Sequence, residues 1–194
     1  PYSLVGSEMC IRDSFITDHL VLDARMAWLE TEITADHLAL DNVQSDEVTN
    51  ALIGQGFDLF SPEIQRARAT QVQNVKGNEL AKTPGFTGNL ALNWDTELGA
   101  WGDMRTTFQY TYRGDFKHRI FNNDKTDVVD SYDVIDLVVG FYPGNADWRL
   151  ELIGKNLTDE DGINARFTDV FGVGATGDEL IAPRQYMVRV GLDF

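Results

Sequence analysis

The chain has 194 residues and a formal charge of −15, from 16 Lys and Arg against 31 Asp and Glu. That balance excludes nucleic-acid binding, which needs clustered cations against phosphate. A hydrophobic fraction of 43% is too high for a disordered chain, and a single cysteine builds neither a disulfide framework nor a zinc site. No run of 18 apolar residues is present, so no transmembrane helix is expected; a transmembrane β-barrel remains open, because its strands alternate.

Residues 1–14, PYSLVGSEMCIRDS, share no pattern with the rest of the chain. They lack the basic start and apolar run of a signal peptide. The phrase GSEMCIRDS resembles translated adapter read-through, so the expectation is a non-native segment over 1–14 that stands outside the fold and takes Cys10 with it. Residues 15–194 are read as one unit.

From Asp18 onward the dominant period is two. Leu20 to Ile33 sets Leu20, Leu22, Ala24, Met26 and Trp28 against Val21, Asp23, Arg25 and Ala27. Phe86 to Leu98 sets Phe86, Leu90, Leu92 and Trp94 against Thr87, Asn89, Asn93 and Asp95. Met104 to Arg113 alternates Met104, Phe108, Tyr110 and Tyr112 with Arg105, Thr107, Gln109 and Arg113. Tyr132 to Tyr142 gathers Ile135, Leu137, Val139 and Phe141, Trp148 to Asn156 gathers Trp148, Leu150 and Leu152, and Arg184 to Phe194 gathers Tyr186, Val188, Val190, Leu192 and Phe194. The pattern gives six strands, most near the roughly 9–11 residues that cross a bilayer when tilted. No segment of similar length shows a capped 3.6 period, so the fold class is all-β and antiparallel.

Connection lengths alternate. Thr34 to Gly85, Gly114 to Ser131 and Leu157 to Pro183 are long; Gly99 to Gly102 and Pro143 to Asp147 are short. An outer-membrane barrel has short periplasmic turns and long external loops. With that orientation Trp94, Phe141, Trp148 and Phe194 fall at the periplasmic end. Trp28, Phe86, Tyr112 and Tyr186 fall at the outer end, which gives the two aromatic girdles such barrels carry.

Three phrases carry a family resemblance: Asn78-Glu79-Leu80-Ala81-Lys82-Thr83-Pro84 followed by Asn89-Leu90-Ala91-Leu92; Asn156-Leu157-Thr158-Asp159; and Pro183-Arg184-Gln185-Tyr186 running to Phe194. In this order they resemble the carboxy-terminal end of a TonB-dependent outer-membrane receptor, over roughly Asp18 to Phe194. The resemblance implies a transmembrane barrel of roughly 22 strands with an amino-terminal plug, located in the outer membrane of a Gram-negative-type bacterium. It implies energy-coupled uptake of a scarce ligand (an iron-siderophore, cobalamin or a glycan) through the TonB complex, which would act on a plug that these residues do not include. It also implies that the barrel-assembly machinery reads Tyr186, Val188, Val190, Leu192 and Phe194, and that outer-membrane lipid surrounds the wall.

Neither catalytic nor metal-ligating residues, nor a cofactor, are expected. Gly172-Val173-Gly174-Ala175-Thr176-Gly177 has the spacing of a dinucleotide loop, but Pro183 and the strand after it leave no room for the helix such a site requires. Asp159-Glu160-Asp161-Gly162 lacks calcium-loop spacing, and His19, His37 and His118 form no metal-spaced pair. Asp115, Asp124, Asp127, Asp130 and Asp133, among Lys117, His118, Arg119 and Lys125, read as a solvated loop. Arg105, Arg113, Arg149 and Arg189 on the polar face are the candidates for lining a transport path or pairing with interior carboxylates. Two other readings stay open. One is a small self-contained outer-membrane barrel, structural or adhesive, with two more strands at Ala51 to Phe60 and Ala67 to Val75. The other is a soluble β-sandwich or lipocalin-like binding module.

Overall fold

The computed structural model describes residues 2–169 and 175–192, with the side chains of 2–7 and 11–13 left out. Phe194 and the Gly172-Val173-Gly174 part of the glycine-rich motif lie outside the described residues. The chain opens with β1 (Tyr2–Thr17) and β2 (Leu20–Ile33), then makes a first excursion through β3 (Leu38–Leu40), α1 (Asn42–Gly54), α2 (Pro62–Ala69) and β4 (Val72–Asn74). It returns through β5 (Phe86–Glu97) and β6 (Asp103–Arg113), and a second excursion carries β7 (Phe116–Lys117) and β8 (Val128–Val129). After β9 (Tyr132–Tyr142) and β10 (Trp148–Lys155), a third excursion holds β11 (Ile163–Thr168) and β12 (Thr176–Leu180), and β13 (Gln185–Leu192) ends the sheet.

One antiparallel sheet contains seven strands in the order β1-β2-β5-β6-β9-β10-β13. It is a meander in which all three excursions leave from one end and the short turns, including Asp18-His19, lie at the other. The six expected strands are present with their ends shifted by no more than two residues; β13 is described to Leu192. A seventh, β1, pairs along β2 from Tyr2 to Thr17, over a segment, residues 1–14, whose sequence carries no strand pattern.

The pairing carries the alternation across the sheet. Leu22 faces Leu92, Leu92 faces Phe108, and Phe108 faces Leu137. Because opposed residues share a face, this row and the next, Leu20, Trp94, Thr106, Val139, Leu152 and Val188, make one side apolar. The other side carries Asn89, Asn93, Thr107, Thr111, Gln109 and Asp136, with Asn89 and Thr107 donating across the β5–β6 ladder to Thr111 and Asn93. Aromatic clusters mark both ends of the apolar side. Trp28, Phe86 and Tyr112 meet in sequence at 5.1 and 5.8 Å, and Phe141 meets Trp148 at 5.8 Å. At the short-turn end Gly102 holds φ 115° and lies so close to the Tyr142 carbonyl that no Cβ would fit.

The buried apolar residues sit mainly at the long-loop end. Ile33, Ile64, Val75, Phe116 and Val129 are buried there, while Ile153 is the one buried apolar residue, among the described residues, in the middle of the sheet. The excursions thus form a packed cap, and the sheet below it has two open faces.

The first excursion corrects two expectations. It contains helices where none was anticipated, and the segments Ala51 to Phe60 and Ala67 to Val75 are not barrel strands. Asp41 caps α1 by accepting from the amides of Val43 and Gln44 at 3.0 and 3.5 Å. Ser61 caps α2 by accepting from Ile64 N at 3.4 Å, with Pro62 opening the helix. The buried positions of α1 are Ser45, Asp46 and Thr49, so the helix has no apolar stripe for periodicity to reveal.

Candidate functional site

The cap is held by a polar cluster that joins the three excursions. Arg119, in the second, donates from Nη1 to Asp41 Oδ1 of the first at 2.7 Å, and from Nε and Nη2 to Asp127 Oδ1 at 2.8 and 2.6 Å. Both carboxylates are fully buried. Gln73 and the backbone of Asn123 satisfy their remaining oxygens, so the cluster meets the requirement that buried charge be paired and hydrogen-bonded.

His118, also buried, joins the second excursion to the third. Its Nδ1 lies 3.1 Å from the Asp127 carbonyl and its Nε2 lies 3.0 Å from Thr168 Oγ1. A carbonyl can only accept, so Nδ1 carries the proton and neutral Nε2 accepts from the threonine hydroxyl. Burial lowers the imidazole pKa below its ordinary value; the Asp127 carbonyl and carboxylate oppose this, and Arg119 and Arg166 add to it. Arg166 grips Asp178 with two bonds of 2.6 and 2.9 Å and donates to the Val128 carbonyl at 2.7 Å. Its hydrogen bonds hold the Asp178 carboxyl below the usual range.

Between these groups lies a cleft of about 350 Å³ in which Lys82, His118, Arg119 and Arg166 meet the rings of Phe121 and Phe167. A second hollow, of about 360 Å³, opens beside Arg113, where Arg25, Asn89, Thr111 and Tyr132 meet Met9 and Ala27. Cations, hydroxyls and aromatic rings side by side suit a polar ligand with anionic or aromatic parts.

The four arginine candidates separate. Arg113 stands at the long-loop end, 4.5 Å over the Phe116 ring, and donates to the Asn164 carbonyl at 2.8 Å. Arg105 lies eight residues along the same strand, about 27 Å away; Arg189 stands at its level and Arg149 two residues lower, near the short turns. Arg105 sits 4.8 Å over the Tyr142 ring and 3.9 Å from Asp95. Arg189 pairs with Glu151 at 2.9 Å, and Glu151 also accepts from the Tyr142 hydroxyl at 3.3 Å. Arg149 lies flat on the wall beside Gly191, where a Cβ would stand 2.7 Å from its Nε. Arg105 and Arg189 therefore belong to an ion-paired stretch of wall with Arg149 beside it, and of the four only Arg113 reaches the cap.

The expectation of a solvated loop around Asp115 to Asp133 is corrected at its centre, because Asp127 and His118 are buried. Asp41 was not singled out, and its signal was its place as a cap before a helix that the period concealed. The phrase Asn156-Leu157-Thr158-Asp159 acquires a physical account. Asn156, at φ 48°, donates to the carbonyls of Glu160 and Ala182 and accepts from Glu160 N, closing the base of the third excursion. Leu157 packs over Gly154, and Asp159 binds Arg184 at 3.1 Å.

An antiparallel sheet with one apolar and one polar face, aromatic clusters at both ends and every long connection on one side defines a segment of a transmembrane β-barrel. The model of the TonB dependent receptor-like β-barrel family matches residues 29–157. The chain belongs to that family.

Solved structures share the fold. The ferric yersiniabactin uptake receptor FyuA from Yersinia pestis superposes with a TM-score of 0.65 at 11% identity, over 95% of this chain and 22% of that one. BauA, the ferric preacinetobactin receptor from Acinetobacter baumannii, gives 0.58 at 14% identity, over 95% and 21%. The ferric citrate transporter FecA in its unliganded form gives 0.57 at 15%, over 91% and 21%. The chain spans about a fifth of each of these proteins. No curated protein matches the sequence.

Proposed function

We propose that this chain is the carboxy-terminal part of the barrel of an outer-membrane TonB-dependent receptor that takes up a scarce ligand, an iron-siderophore being the favoured class. The observation that carries this reading is the meander of β2, β5, β6, β9, β10 and β13, whose three long excursions pack into one cap at one end. Both edges of the sheet are open, and hydrocarbon does not tolerate unpaired backbone groups, so the sheet must continue into further strands of a closed barrel. The ferric-chelate receptors and transporter that share the fold favour iron uptake over cobalamin or glycan uptake.

In this reading the apolar face meets outer-membrane lipid and the polar face lines the lumen. Arg113 and the cleft beneath the cap contact ligand. Arg105, Arg149 and Arg189 face a plug that the TonB complex acts upon. Tyr186, Val188, Val190 and Leu192, with Phe194, form the strand presented to the barrel-assembly machinery. Residues 1–14 remain assigned to a non-native segment.

The test is to recover the coding DNA around Asp18 and express the whole product in an iron-starved strain lacking its own ferric receptors. Uptake of a radioactive ferric siderophore that disappears when TonB is deleted is the expected result. Binding of a cobalamin or glycan in its place, or a product with neither plug nor further strands, would overturn it.

A further inference from the structure

Among the described residues, the ones other than glycine that hold a left-handed backbone are Lys82, Asn122, Asn156 and Asp159. Asparagine and aspartate tolerate that region, because a short polar side chain bonds locally to the backbone. Lys82, at φ 62°, has no such means. Glycine would hold the turn without strain, so a lysine in that place implies a use for its side chain. The segment is fixed from the second excursion. The Lys82 amide donates to the Lys117 carbonyl at 2.7 Å. Three residues earlier, the backbone of Glu79 donates to and accepts from the Asn122 side chain, at 2.7 and 3.2 Å.

Lys82 lines the cleft beneath the cap, and its ammonium differs from the other cations there. Arg166 spends its fork on Asp178, and Arg119 is shared by Asp41 and Asp127. The Lys82 ammonium makes no hydrogen bond or ion pair among the described residues. One guanidinium between two carboxylates leaves a net negative charge beside the cleft, which disfavours a dianion. An ammonium is a point charge suited to one anionic oxygen, without the fork that grips phosphate in two places. Phe167, in the same cleft, is 62% exposed. Its ring lies across Gly177, where a Cβ would stand 3.1 Å away, and it stays open on the other side.

We propose that Lys82 is the residue by which this cleft reads its ligand, and that the group read is a singly charged aromatic acid. The carboxylate meets the Lys82 ammonium and the attached ring lies against Phe167. This rests on the reading of the cap cleft as a ligand site and adds the chemistry that the site selects. The strained backbone then has a role, because it fixes the stem of the one cleft cation that no carboxylate has claimed.

The test takes the whole receptor from the recovered coding DNA, folded in phosphatidylcholine vesicles, with benzoate as the probe. Reductive methylation mapped by mass spectrometry reports the accessibility of each lysine and needs no variant. About 10 mM benzoate should slow methylation of Lys82 roughly fivefold, as for a fragment of about 2 mM affinity. Lys76 and Lys125, exposed elsewhere, should not respond. Benzamide lacks the charge, acetate lacks the ring and phenyl phosphate is largely a dianion, so each should protect Lys82 less than about twofold. Equal protection by benzamide or acetate, stronger protection by phenyl phosphate, or none by benzoate would overturn the proposal.

Variants separate side chain from backbone. Lys82→Gly relieves the strain and should leave the cap as resistant to protease as before, while benzoate binding, followed by ligand-observed magnetic resonance, weakens about fivefold or more. Lys82→Arg should keep most of the binding, and Phe167→Ala should bring benzoate down to the level of acetate. Undiminished binding in Lys82→Gly would overturn the proposal. Failure of benzoate while the receptor still takes up a ferric siderophore would leave the receptor reading standing; absence of that uptake would sink the receptor reading instead.

Discussion

Arg119 and Asp41 stand 78 residues apart in sequence and meet across 2.7 Å inside the cap. The same guanidinium binds Asp127, so one cation bridges two fully buried carboxylates contributed by different excursions. The relationship explains why loops of such length pack against one another.

Arg119→Ala should therefore loosen the whole cap. Removing one partner of a buried ion pair leaves an uncompensated charge and costs about 3–5 kcal/mol. Arg119→Lys keeps the charge but cannot span both carboxylates with its single ammonium, so an intermediate loss is expected. Limited proteolysis of the assembled receptor should cut the first and second excursions faster in the order alanine, lysine, arginine, with the sheet unaffected. Equal cutting in all three would mean that the cluster does not hold the cap.

His118 should make the junction of the second and third excursions acid-sensitive. Its pKa is lowered in the folded cap, chiefly by burial, with Arg119 and Arg166 adding and Asp127 opposing. Lys82 lines the same cleft, and Asp178 lies within electrostatic range. A lowered value means that the unfolded state binds the proton more readily. The stabilisation is complete above the unfolded value near 6.5 and is lost as pH falls below it towards the folded value. The protection factor of the Ile163–Thr168 hairpin strand, hydrogen exchange corrected for its intrinsic pH dependence, should fall between about pH 7 and pH 5, and His118→Gln should flatten that dependence. An unchanged slope in the variant would remove His118 as its cause.

Much of the sheet was legible in the sequence because its signal is local. Leu20 to Ile33 and Tyr132 to Tyr142 alternate so regularly that the strand ends coincide with those observed. The cap was not legible, for two reasons. The helix α1 packs on Ser45, Asp46 and Thr49, so its buried face has the composition of a loop. The ion cluster depends on Asp41, Arg119 and Asp127 being brought together by folding over long separations, and mixed charges in a loop look the same whether solvated or buried. The arginine candidates were found by alternation, which assigns a face but not a height along the strand. Height is what separates Arg113 from Arg105, Arg149 and Arg189.

Asn156 gives a prediction about the base of the third excursion. Its side chain makes three hydrogen bonds, to Glu160 O, Ala182 O and Glu160 N, while its backbone holds φ 48°. Asn156→Ala loses all three bonds and places a residue less suited to that conformation, for a cost of about 2–4 kcal/mol. Asn156→Gly loses the same bonds but adopts the backbone freely, so its loss should be smaller. Exchange of the Glu160 amide, which donates to Asn156 Oδ1, should quicken in both. If glycine proves as damaging as alanine or more so, the backbone conformation is not part of the cost.

The two faces of the sheet should respond unequally to the same charge. Leu137 lies in mid-strand on the apolar face, between Phe108 and Gly154. Leu137→Arg puts a guanidinium against hydrocarbon and should cost about 2–4 kcal/mol of folding into bilayers, the range for an arginine at the midplane of a barrel wall. Gln109 lies on the other face, opposite Asp136. Gln109→Arg brings a cation to a carboxylate that already binds Lys155 at 2.8 Å and should change stability by less than about 0.5 kcal/mol. Urea titration of the receptor folded in phosphatidylcholine vesicles reads both values. Similar losses for the two would mean that lipid does not cover the Leu137 side, and the membrane assignment of this face would fall with it.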